Sequence, residues 1–309
     1  MPDAAQGLSV TLTQMPATGA EDANLVAIRA LIRKGADNGS DVVLLPEYAL
    51  HAGSPQVMRD KKLTLASEPV RAVAELAREF RVAVVLGGVK LQEASGSFTN
   101  SALAFGEQGD LLARYDKAHL FHASVAGTNY APVAEDIAGT RLALFELKGV
   151  RIGLTICFDI RFPELFRSLA REGAEIVFAP SSFTRVTGEA HWRPLLRARA
   201  IENQIFVIAS ATIGAPDLPD SDALATYGHA LAIGPWGEIL ADLGTEPLAS
   251  QTLHLPLGEL EKVRTRLPLH ACPRPFETAR SHDPDTSSSA GRADNHSIGD
   301  KLDEGEARS

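Results

Sequence analysis

Three residues of the sequence could together carry out nucleophilic catalysis: Cys157, Glu47 and Lys117. Cys157 follows the apolar run of residues 153–156 and precedes a turn into a predicted helix. A side chain on such a turn is exposed, and the backbone N–H of the next residue, Phe158, faces the same space, as a nucleophile with an oxyanion donor requires. The alternative is a buried, inert thiol, since free cysteines are often buried.

Glu47 and Lys117 also stand at the ends of predicted strands. Glu47 follows the apolar run of residues 42–46, and Lys117 lies just beyond a strand predicted over residues 111–115. Taken alone, each could be a solvated surface residue, with Asp116 as a neighbour for Lys117. Taken with the thiol, they supply an acid–base group and a cation, which are the groups that activate a cysteine nucleophile.

Strands and helices alternate along the chain and would bring these three residues to the edges of sheets. Strands are predicted over residues 8–14, 41–45, 82–87, 101–105, 111–115, 150–156, 176–179 and 205–210, and two or three antiparallel ones over residues 226–257. Helices are predicted over residues 25–32, 69–80, 163–173 and 188–203. Gly87-Gly88 is predicted to be a turn. This order predicts an α/β fold in layers with mixed β-sheets.

The composition is that of a cytoplasmic globular protein. The sequence has 309 residues, of which 45% are apolar and 22% charged, and its formal net charge is −9. The excess of acids argues against a nucleic-acid partner, because phosphate binding needs a basic surface. No apolar run approaches the ~18 residues of a membrane span, and the N-terminus lacks the pattern of a signal peptide. Two cysteines, Cys157 and Cys272, are too few for a disulfide framework or a four-cysteine zinc site.

The composition changes at residue 277, where the domain is predicted to end. Residues 277–309 contain eight acids and four bases, and their only large apolar residues are Ile298 and Leu302. Such a segment cannot bury enough apolar surface to offset the entropy of ordering it. We therefore expect one domain over residues 1–276 and a disordered acidic tail over residues 277–309; docking of the tail onto a partner subunit is the alternative.

Several stretches of the sequence, in order, resemble the nitrilase superfamily of carbon–nitrogen hydrolases. They are Leu44-Leu-Pro-Glu47, Tyr115-Asp-Lys-Ala-His-Leu-Phe121, Leu154-Thr-Ile-Cys-Phe-Asp-Ile-Arg-Phe-Pro-Glu-Leu165, Pro180-Ser-Ser-Phe-Thr184, Thr187-Gly-Glu-Ala-His-Trp192, Leu196-Arg-Ala-Arg-Ala-Ile-Glu-Asn203, and Tyr227-Gly-His229 with Pro235-Trp-Gly-Glu238. The resemblance covers roughly residues 8–270. Two of the stretches, TGEAHW and LRARAIEN, are similar to those of the omega-amidase and deaminated-glutathione-amidase branch.

The resemblance implies an αββα four-layer sandwich of the nitrilase type, usually assembled as a homodimer or higher homo-oligomer, with a Glu-Lys-Cys triad. In that triad Glu47 is the general base, Lys117 stabilises the oxyanion and Cys157 is the nucleophile, with the Phe158 backbone N–H as a second oxyanion donor. The resemblance implies no metal and no organic cofactor. Three residues beside the matched motifs are expected to line the substrate pocket: Tyr48, Phe183 and Thr184.

The chain departs from the family in the loop after the lysine segment. Family members often carry a second glutamate there, and Pro132 stands in its place. Glu135 could substitute as a supporting acid if the loop is rearranged; otherwise the orientation of Lys117 or the hydrolysis of the thioester would suffer. In the turn after the nucleophile, Arg161 could bind a substrate carboxylate or pack against Asp159.

These features predict a hydrolase that releases ammonia from a small carboxylate-bearing amide through a thioester on Cys157. Two alternatives use the same triad, namely N-carbamoyl amino acid hydrolysis and nitrile hydrolysis. A third, motivated by Pro132, is a catalytically impaired nitrilase-like binding protein.

Overall fold

The computed structural model describes residues 7–16, 18–125, 128–214 and 225–271. The tail predicted over residues 277–309, and Cys272, lie outside these ranges. The helices are α1 (Glu21–Asp37), α2 (Pro55–Asp60), α3 (Glu68–Phe80), α4 (Pro163–Arg171), α5 (Arg185–Asn203) and α6 (Gly258–Arg266), with 3-10 turns at Cys157–Arg161 and Leu269–Ala271. Among the helices in these ranges, none combines the length and the apolar character needed to cross a bilayer.

The strands form two large mixed sheets and one small hairpin. The strands are β1 (Gly7–Met15), β2 (Val42–Leu44), β3 (Ala83–Gln92), β4 (Phe98–Phe105), β5 (Leu111–Asp116), β6 (Ala123–Val125), β7 (Thr128–Tyr130), β8 (Leu144–Leu147), β9 (Val150–Leu154), β10 (Ile176–Phe178), β11 (Phe206–Ala209), β12 (Ala211–Gly214), β13 (Thr226–Tyr227), β14 (Leu231–Ile233), β15 (Ile239–Asp242) and β16 (Ala249–Pro256). The first sheet has the order β13-β12-β1-β2-β3-β4-β5, with β16 also paired to β1, and the second has the order β15-β14-β11-β10-β9-β8. Four neighbouring strands run parallel in the first sheet, β12-β1-β2-β3, and three in the second, β9-β10-β11, and antiparallel strands extend both sets.

Each face of the first sheet is covered by a different apolar layer. Val42 and Leu44 of β2 belong to a core cluster shared with the second sheet, whereas Val43 and Leu45 belong to a cluster with α1 and α3. This alternation is the consequence of the two-residue period of a strand. A continuous apolar run such as that at residues 42–45 is therefore typical of a strand buried on both faces.

Helices α4 and α5 cover the outer face of the second sheet. Their buried side chains, including Phe166 and Leu169 of α4 and Trp192 and Leu196 of α5, belong to the cluster that contains the strands β9, β10 and β11. The layers thus run helix, sheet, sheet, helix. The predicted αββα sandwich with mixed sheets is confirmed.

The C-terminal strands differ from the prediction. Residues 226–256 contain four strands rather than two or three, and β16 does not stay with its neighbours in sequence. It pairs antiparallel along β1, from Gly7 opposite Pro256 to Gln14 opposite Ala249. Seven of its eight residues are half-buried or exposed, so their pattern does not identify the sheet to which the strand belongs.

Candidate active site

Glu47 lies just beyond the carboxyl end of β2 and points into a closed site. Two backbone hydrogen bonds hold this segment against β3, from Leu45 N–H to the Val85 carbonyl and from Tyr48 N–H to the Gly88 carbonyl. Tyr48 adopts a positive φ of 60°, which turns the chain away from the sheet directly after Glu47. The Glu47 side chain is consequently buried, with 1% of its surface exposed.

The Glu47 carboxylate accepts hydrogen bonds from three segments of the chain. Oε1 accepts from Asn100 Nδ2 on β4 (2.9 Å) and from Lys117 Nζ (2.8 Å). Oε2 accepts from the backbone N–H of Ser182 (2.9 Å), in the connection between β10 and α5. These bonds satisfy the desolvated carboxylate and fix its orientation.

Lys117 follows β5 and is held in place through its main chain as well as its side chain. Its N–H donates to the Asn100 carbonyl (2.8 Å), and its carbonyl accepts from Gly139 N–H (3.0 Å). Burial by itself lowers the pKa of Lys117, but the negative charge of Glu47, followed by that of Cys157, outweighs it and raises the pKa well above its usual range. The side chain therefore stays a buried ammonium at neutral pH.

Cys157 sits on a strained turn at the end of β9. Its φ of 48° lies in the left-handed region, and its N–H donates to the Pro180 carbonyl (3.0 Å). A 3-10 turn begins at this residue, and α4 follows from Pro163. The Phe158 N–H lies in the first turn of this segment, where N–H groups have no partner within the helix; its role as an oxyanion donor remains a prediction.

The surroundings of Cys157 keep its thiol protonated at rest. Burial, the charge of Glu47 and a hydrogen bond to Glu47 raise the pKa of the thiol well above its ordinary value. Lys117 and the Ser182 N–H act in the opposite direction, but they do not outweigh the first three effects. Attack by this sulfur therefore requires that its proton be taken up as the new bond forms, and the neighbouring carboxylate is positioned to accept it.

The three residues predicted to line the pocket have different surroundings. The Tyr48 hydroxyl accepts from Asn100 Nδ2 (3.0 Å), and burial, followed by the charge of Glu47, raises the pKa of Tyr48 above its usual range. Phe183 is buried against Trp192, with ring centroids 5.1 Å apart. Thr184 precedes α5, and its hydroxyl pairs with that of Thr187 (2.7 Å), so its contacts support the start of the helix.

The loop predicted to supply a supporting acid is arranged differently. Glu135 and Pro132 are exposed, and the Glu135 carbonyl accepts the Phe98 N–H. The next residue, Asp136, is turned inward to the Lys90 ammonium (2.8 Å). The second carboxylate whose charge acts on Lys117 is instead Asp159 of the 3-10 turn.

Sequence reasoning missed Asn100, Ser182 and the contacts of Asp159. The strand predicted over residues 101–105 begins one residue after Asn100, whereas in the structure the strand begins at Phe98 and Asn100 is buried within it. Ser182 contributes a backbone N–H, for which a sequence carries no signal. Asp159 does not pack against Arg161, because it accepts from Tyr115, Ile156 and His119 instead. Arg161 lies over the rings of Phe158 and Phe183, at 5.6 and 5.0 Å from their centroids.

Comparisons with known proteins agree with this geometry. A family model described as carbon-nitrogen hydrolase matches residues 9–265. The deaminated glutathione amidase of Synechocystis sp. strain PCC 6803 is 36% identical over 250 residues, which are 79% of this chain and 90% of that protein. The omega-amidase NIT2 of Bos taurus is 30% identical over 261 residues, covering 84% of this chain and 92% of that protein.

A solved structure shows the same fold. Nit3 of Saccharomyces cerevisiae, described as a member of branch 10 of the nitrilase superfamily, superposes with a TM-score of 0.75 at 28% identity. The match covers 85% of this chain and 95% of that one. The four-layer architecture described above is therefore that of the nitrilase superfamily.

Proposed function

The chain belongs to the carbon-nitrogen hydrolase family and is an enzyme of the amidase type, and we propose that it cleaves a small carboxylate-bearing amide through a thioester on Cys157. The observation that carries this proposal is the buried ion pair between Glu47 and Lys117, at 2.8 Å, beside a thiol that is protonated at rest. A base, a cation and a nucleophile in one desolvated site are the groups that amide hydrolysis needs.

In the first half of the reaction, the Cys157 sulfur attacks the amide carbonyl carbon as Glu47 takes the thiol proton. The carbonyl oxygen becomes an anion, which the Lys117 ammonium and the Phe158 N–H stabilise; losing one such donor typically costs about 10²–10³ in rate. The C–N bond then breaks while Glu47 returns its proton to the departing nitrogen. Ammonia leaves, and the acyl group remains on sulfur as a thioester.

In the second half, water replaces ammonia. Glu47, again a carboxylate, removes a proton from a water molecule that attacks the thioester carbonyl. The same two donors stabilise the second oxyanion. Its collapse breaks the C–S bond, the sulfur recovers the proton from Glu47, and the carboxylic acid product leaves. Each step uses groups already within the site.

Arg161 supports the carboxylate in the proposed substrate. Its guanidinium is half-buried between two aromatic rings, and burial lowers its pKa while the charge of Cys157 raises it. Its side-chain hydrogen bond goes to His191 Nδ1 (3.2 Å), and among the described residues no carboxylate pairs with it. A half-buried guanidinium without an acid partner favours a ligand that brings one.

The test is ammonia release from a panel of substrates, each run beside Cys157→Ala. The panel contains α-keto acid amides, including deaminated glutathione, simple aliphatic amides, N-carbamoyl amino acids and a nitrile. We expect the keto acid amides to be hydrolysed and the variant to be inactive. Preferred turnover of a carbamoyl compound or a nitrile would reassign the substrate, and a Cys157→Ala enzyme as fast as wild type would refute the thioester.

Arg161→Met tests the carboxylate separately. Because hydrogen bonds to charged groups contribute about 1.5–3 kcal/mol, KM for a carboxylate-bearing amide should rise roughly 10–100-fold. KM for the matched neutral amide should stay within a factor of about two. Equal changes for both substrates would mean that Arg161 supports the pocket rather than the substrate carboxylate.

The assembly and location that the sequence predicts also remain proposals. Exposed apolar side chains support a homodimer or higher homo-oligomer. Large ones are exposed at Ile201 of α5, Trp236 and Ile239, and Arg266 stacks on the Trp236 ring. Light scattering of wild type and Trp236→Lys would test this surface, since loss of a dimer in the variant would identify it. A cytoplasmic location rests on the sequence alone.

A further inference from the structure

Asp159 is a fully buried carboxylate two residues beyond the proposed nucleophile. Its exposed fraction is 0%, and four donors surround it. Oδ2 accepts from the Tyr115 hydroxyl (2.8 Å) and the Ile156 N–H (2.9 Å). Oδ1 accepts from the backbone N–H (3.1 Å) and the Nδ1 (2.7 Å) of His119. Among the described residues no lysine or arginine pairs with it, so its role is not that of an ordinary ion pair.

The donors lie on both sides of the two reacting groups. Tyr115 is two residues before Lys117 and His119 is two residues after it, while Ile156 directly precedes Cys157. One carboxylate therefore joins the segment that carries the ammonium to the turn that carries the sulfur. We propose that Asp159 is a positioning residue, which sets the Lys117 ammonium at its working distance from the Cys157 sulfur.

The partners of Asp159 are themselves held rigidly. The Tyr115 hydroxyl accepts the Ala118 N–H (3.1 Å), so its own proton is directed to Asp159. The His119 ring stacks on Phe162, with centroids 3.6 Å apart and planes 5° from parallel. The Ala118 bond therefore fixes the Tyr115 hydroxyl within the Lys117 segment, while the His119 stack on Phe162, which closes the 3-10 turn, is a second contact between that segment and the turn that carries Cys157.

The other end of the turn is fixed from α5. Arg199 is buried and donates from Nε to the Ile160 carbonyl (2.9 Å), and its Nη1 pairs with Glu202 (2.7 Å). With Asp159 held at one point and Ile160 at the next, the 3-10 turn cannot rotate as a unit. Loss of the Asp159 bonds would therefore leave the Lys117 segment joined to the turn through ring contacts such as His119 on Phe162, which fix direction less closely than hydrogen bonds.

Positioning and simple electrostatics predict opposite results when Asp159 loses its charge. Among the described residues, the charged or titratable side chains that act on Cys157 are Glu47, Lys117, Tyr48 and Arg161, and Asp159 acts on Lys117. Removing a negative charge from this region would, by Coulomb's law alone, favour the thiolate and speed its reactions. Releasing Lys117 from its position would disfavour the thiolate and slow them.

The experiment measures alkylation of Cys157 by iodoacetamide from pH 6 to pH 10, in the full chain with Cys272→Ser so that one thiol is followed. Asp159→Asn is compared with the parent and with Asp41→Asn. Asp41 is a mostly buried carboxylate that accepts the Ser9 N–H (2.8 Å) at the opposite end of β2 from Glu47, so its variant controls for the loss of a carboxylate bridge elsewhere. Tyr115→Phe removes one of the four donors to Asp159, together with the acceptor of the Ala118 N–H, and serves if Asp159→Asn does not fold. Thermal unfolding of every variant is recorded alongside.

We expect Asp159→Asn to slow alkylation about tenfold at pH 8, equivalent to a rise of about one unit in the apparent pKa of the thiol. Tyr115→Phe should slow it by a smaller factor, and Asp41→Asn should leave the rate unchanged whatever its melting temperature. An unchanged or faster rate in folded Asp159→Asn, or in Tyr115→Phe if that is the folded variant, would overturn the inference.

The inference rests on the proposed nucleophile, but the two fail differently. An unreactive parent thiol would refute the function, and a reactive parent with equally reactive variants would refute only the positioning role.

Discussion

Gly88 allows Glu47 to occupy its position, and replacing it with alanine should disable the site without unfolding the protein. Gly88 has a φ of +72°, and a Cβ built there would lie 2.7 Å from Glu47 Cγ. Ordinary contact begins near 3.4 Å, so the Glu47 side chain would have to retreat by about 0.7 Å. Its carboxylate cannot follow freely, because Lys117 and the Ser182 N–H hold its two oxygens.

The expected effect follows from that displacement. A misplacement of about 1 Å in a catalytic group can cost ~10²-fold in rate, so kcat of Gly88→Ala should fall roughly 10–100-fold. KM should change little, since Glu47 does not recognise the rest of the substrate. The alanine also adopts an unfavourable φ, which costs about 1–2 kcal/mol of stability.

Gly39→Ala is the matched control for backbone strain. Gly39 has the same φ of +72°, but a Cβ at this position would have nothing within 4 Å of it. In urea unfolding, Gly39→Ala should lose about 1–2 kcal/mol from its φ alone, and Gly88→Ala should lose more because its Cβ also displaces a buried side chain, while hydrolysis of the best amide should fall only for Gly88→Ala. Equal kcat values for wild type and folded Gly88→Ala would refute the reasoning, because Glu47 would then tolerate the displacement.

Three further predictions concern the same buried groups. Glu47→Gln should destabilise the protein by about 3–5 kcal/mol in urea unfolding, because it leaves the buried Lys117 ammonium unpaired. The exposed pair Arg29–Glu79 is the control, and Glu79→Gln should lower the free energy of unfolding by no more than about 1 kcal/mol. Asn100→Ala should lower kcat about tenfold with KM unchanged, since it removes the amide that orients Glu47; a change in KM alone would contradict this. The pKa of the Cys157 thiol is raised in the folded state, so above pH 9.0, its ordinary value, the folded protein keeps a proton that the unfolded chain loses. The contribution of this thiol to the free energy of unfolding is therefore complete below pH 9. Above pH 9 that free energy falls by up to about 1.4 kcal/mol per pH unit. Cys157→Ala should show a shallower loss of stability than wild type between pH 9 and pH 10.5, and identical slopes would count against the shift.

The sequence predicts the residues that carry chemistry better than those that hold them in place. Glu47 and Cys157 follow apolar strands and Lys117 follows a strand predicted as part of a hairpin, and the structure brings all three together. The pair Gly87-Gly88 predicts a turn, and this prediction is wrong: β3 continues through it to Gln92 with a shift of register between Leu86 and Val89. A glycine pair reports only that the backbone needs freedom, and it does not distinguish a turn from a bulge.

Partners across sheets are harder to predict because sequence patterns report burial and not contact. The half-buried strand β16 could have joined either sheet, and it pairs with β1 at the other end of the chain. The bond from Tyr115 to Asp159 joins the last strand of the first sheet to the turn after β9 in the second. Both residues look incidental in the sequence, since nothing in their spacing of 44 positions indicates that they meet.

The geometry of the site therefore depends on how the two sheets pack. Glu47 and Lys117 follow strands of the first sheet, and Cys157 and Ser182 follow strands of the second, so the reacting groups come from both sheets. An apolar interface fixes the spacing of two sheets only to the tolerance of side-chain packing, whereas hydrogen bonds between buried polar groups fix distance and direction. The Ser182 N–H on Glu47 and the Tyr115 hydroxyl on Asp159 are two such bonds between the sheets, at 2.9 and 2.8 Å. Burying these polar groups adds a desolvation penalty to the free energy of folding. Their hydrogen bonds hold the base, the ammonium and the thiol in one arrangement.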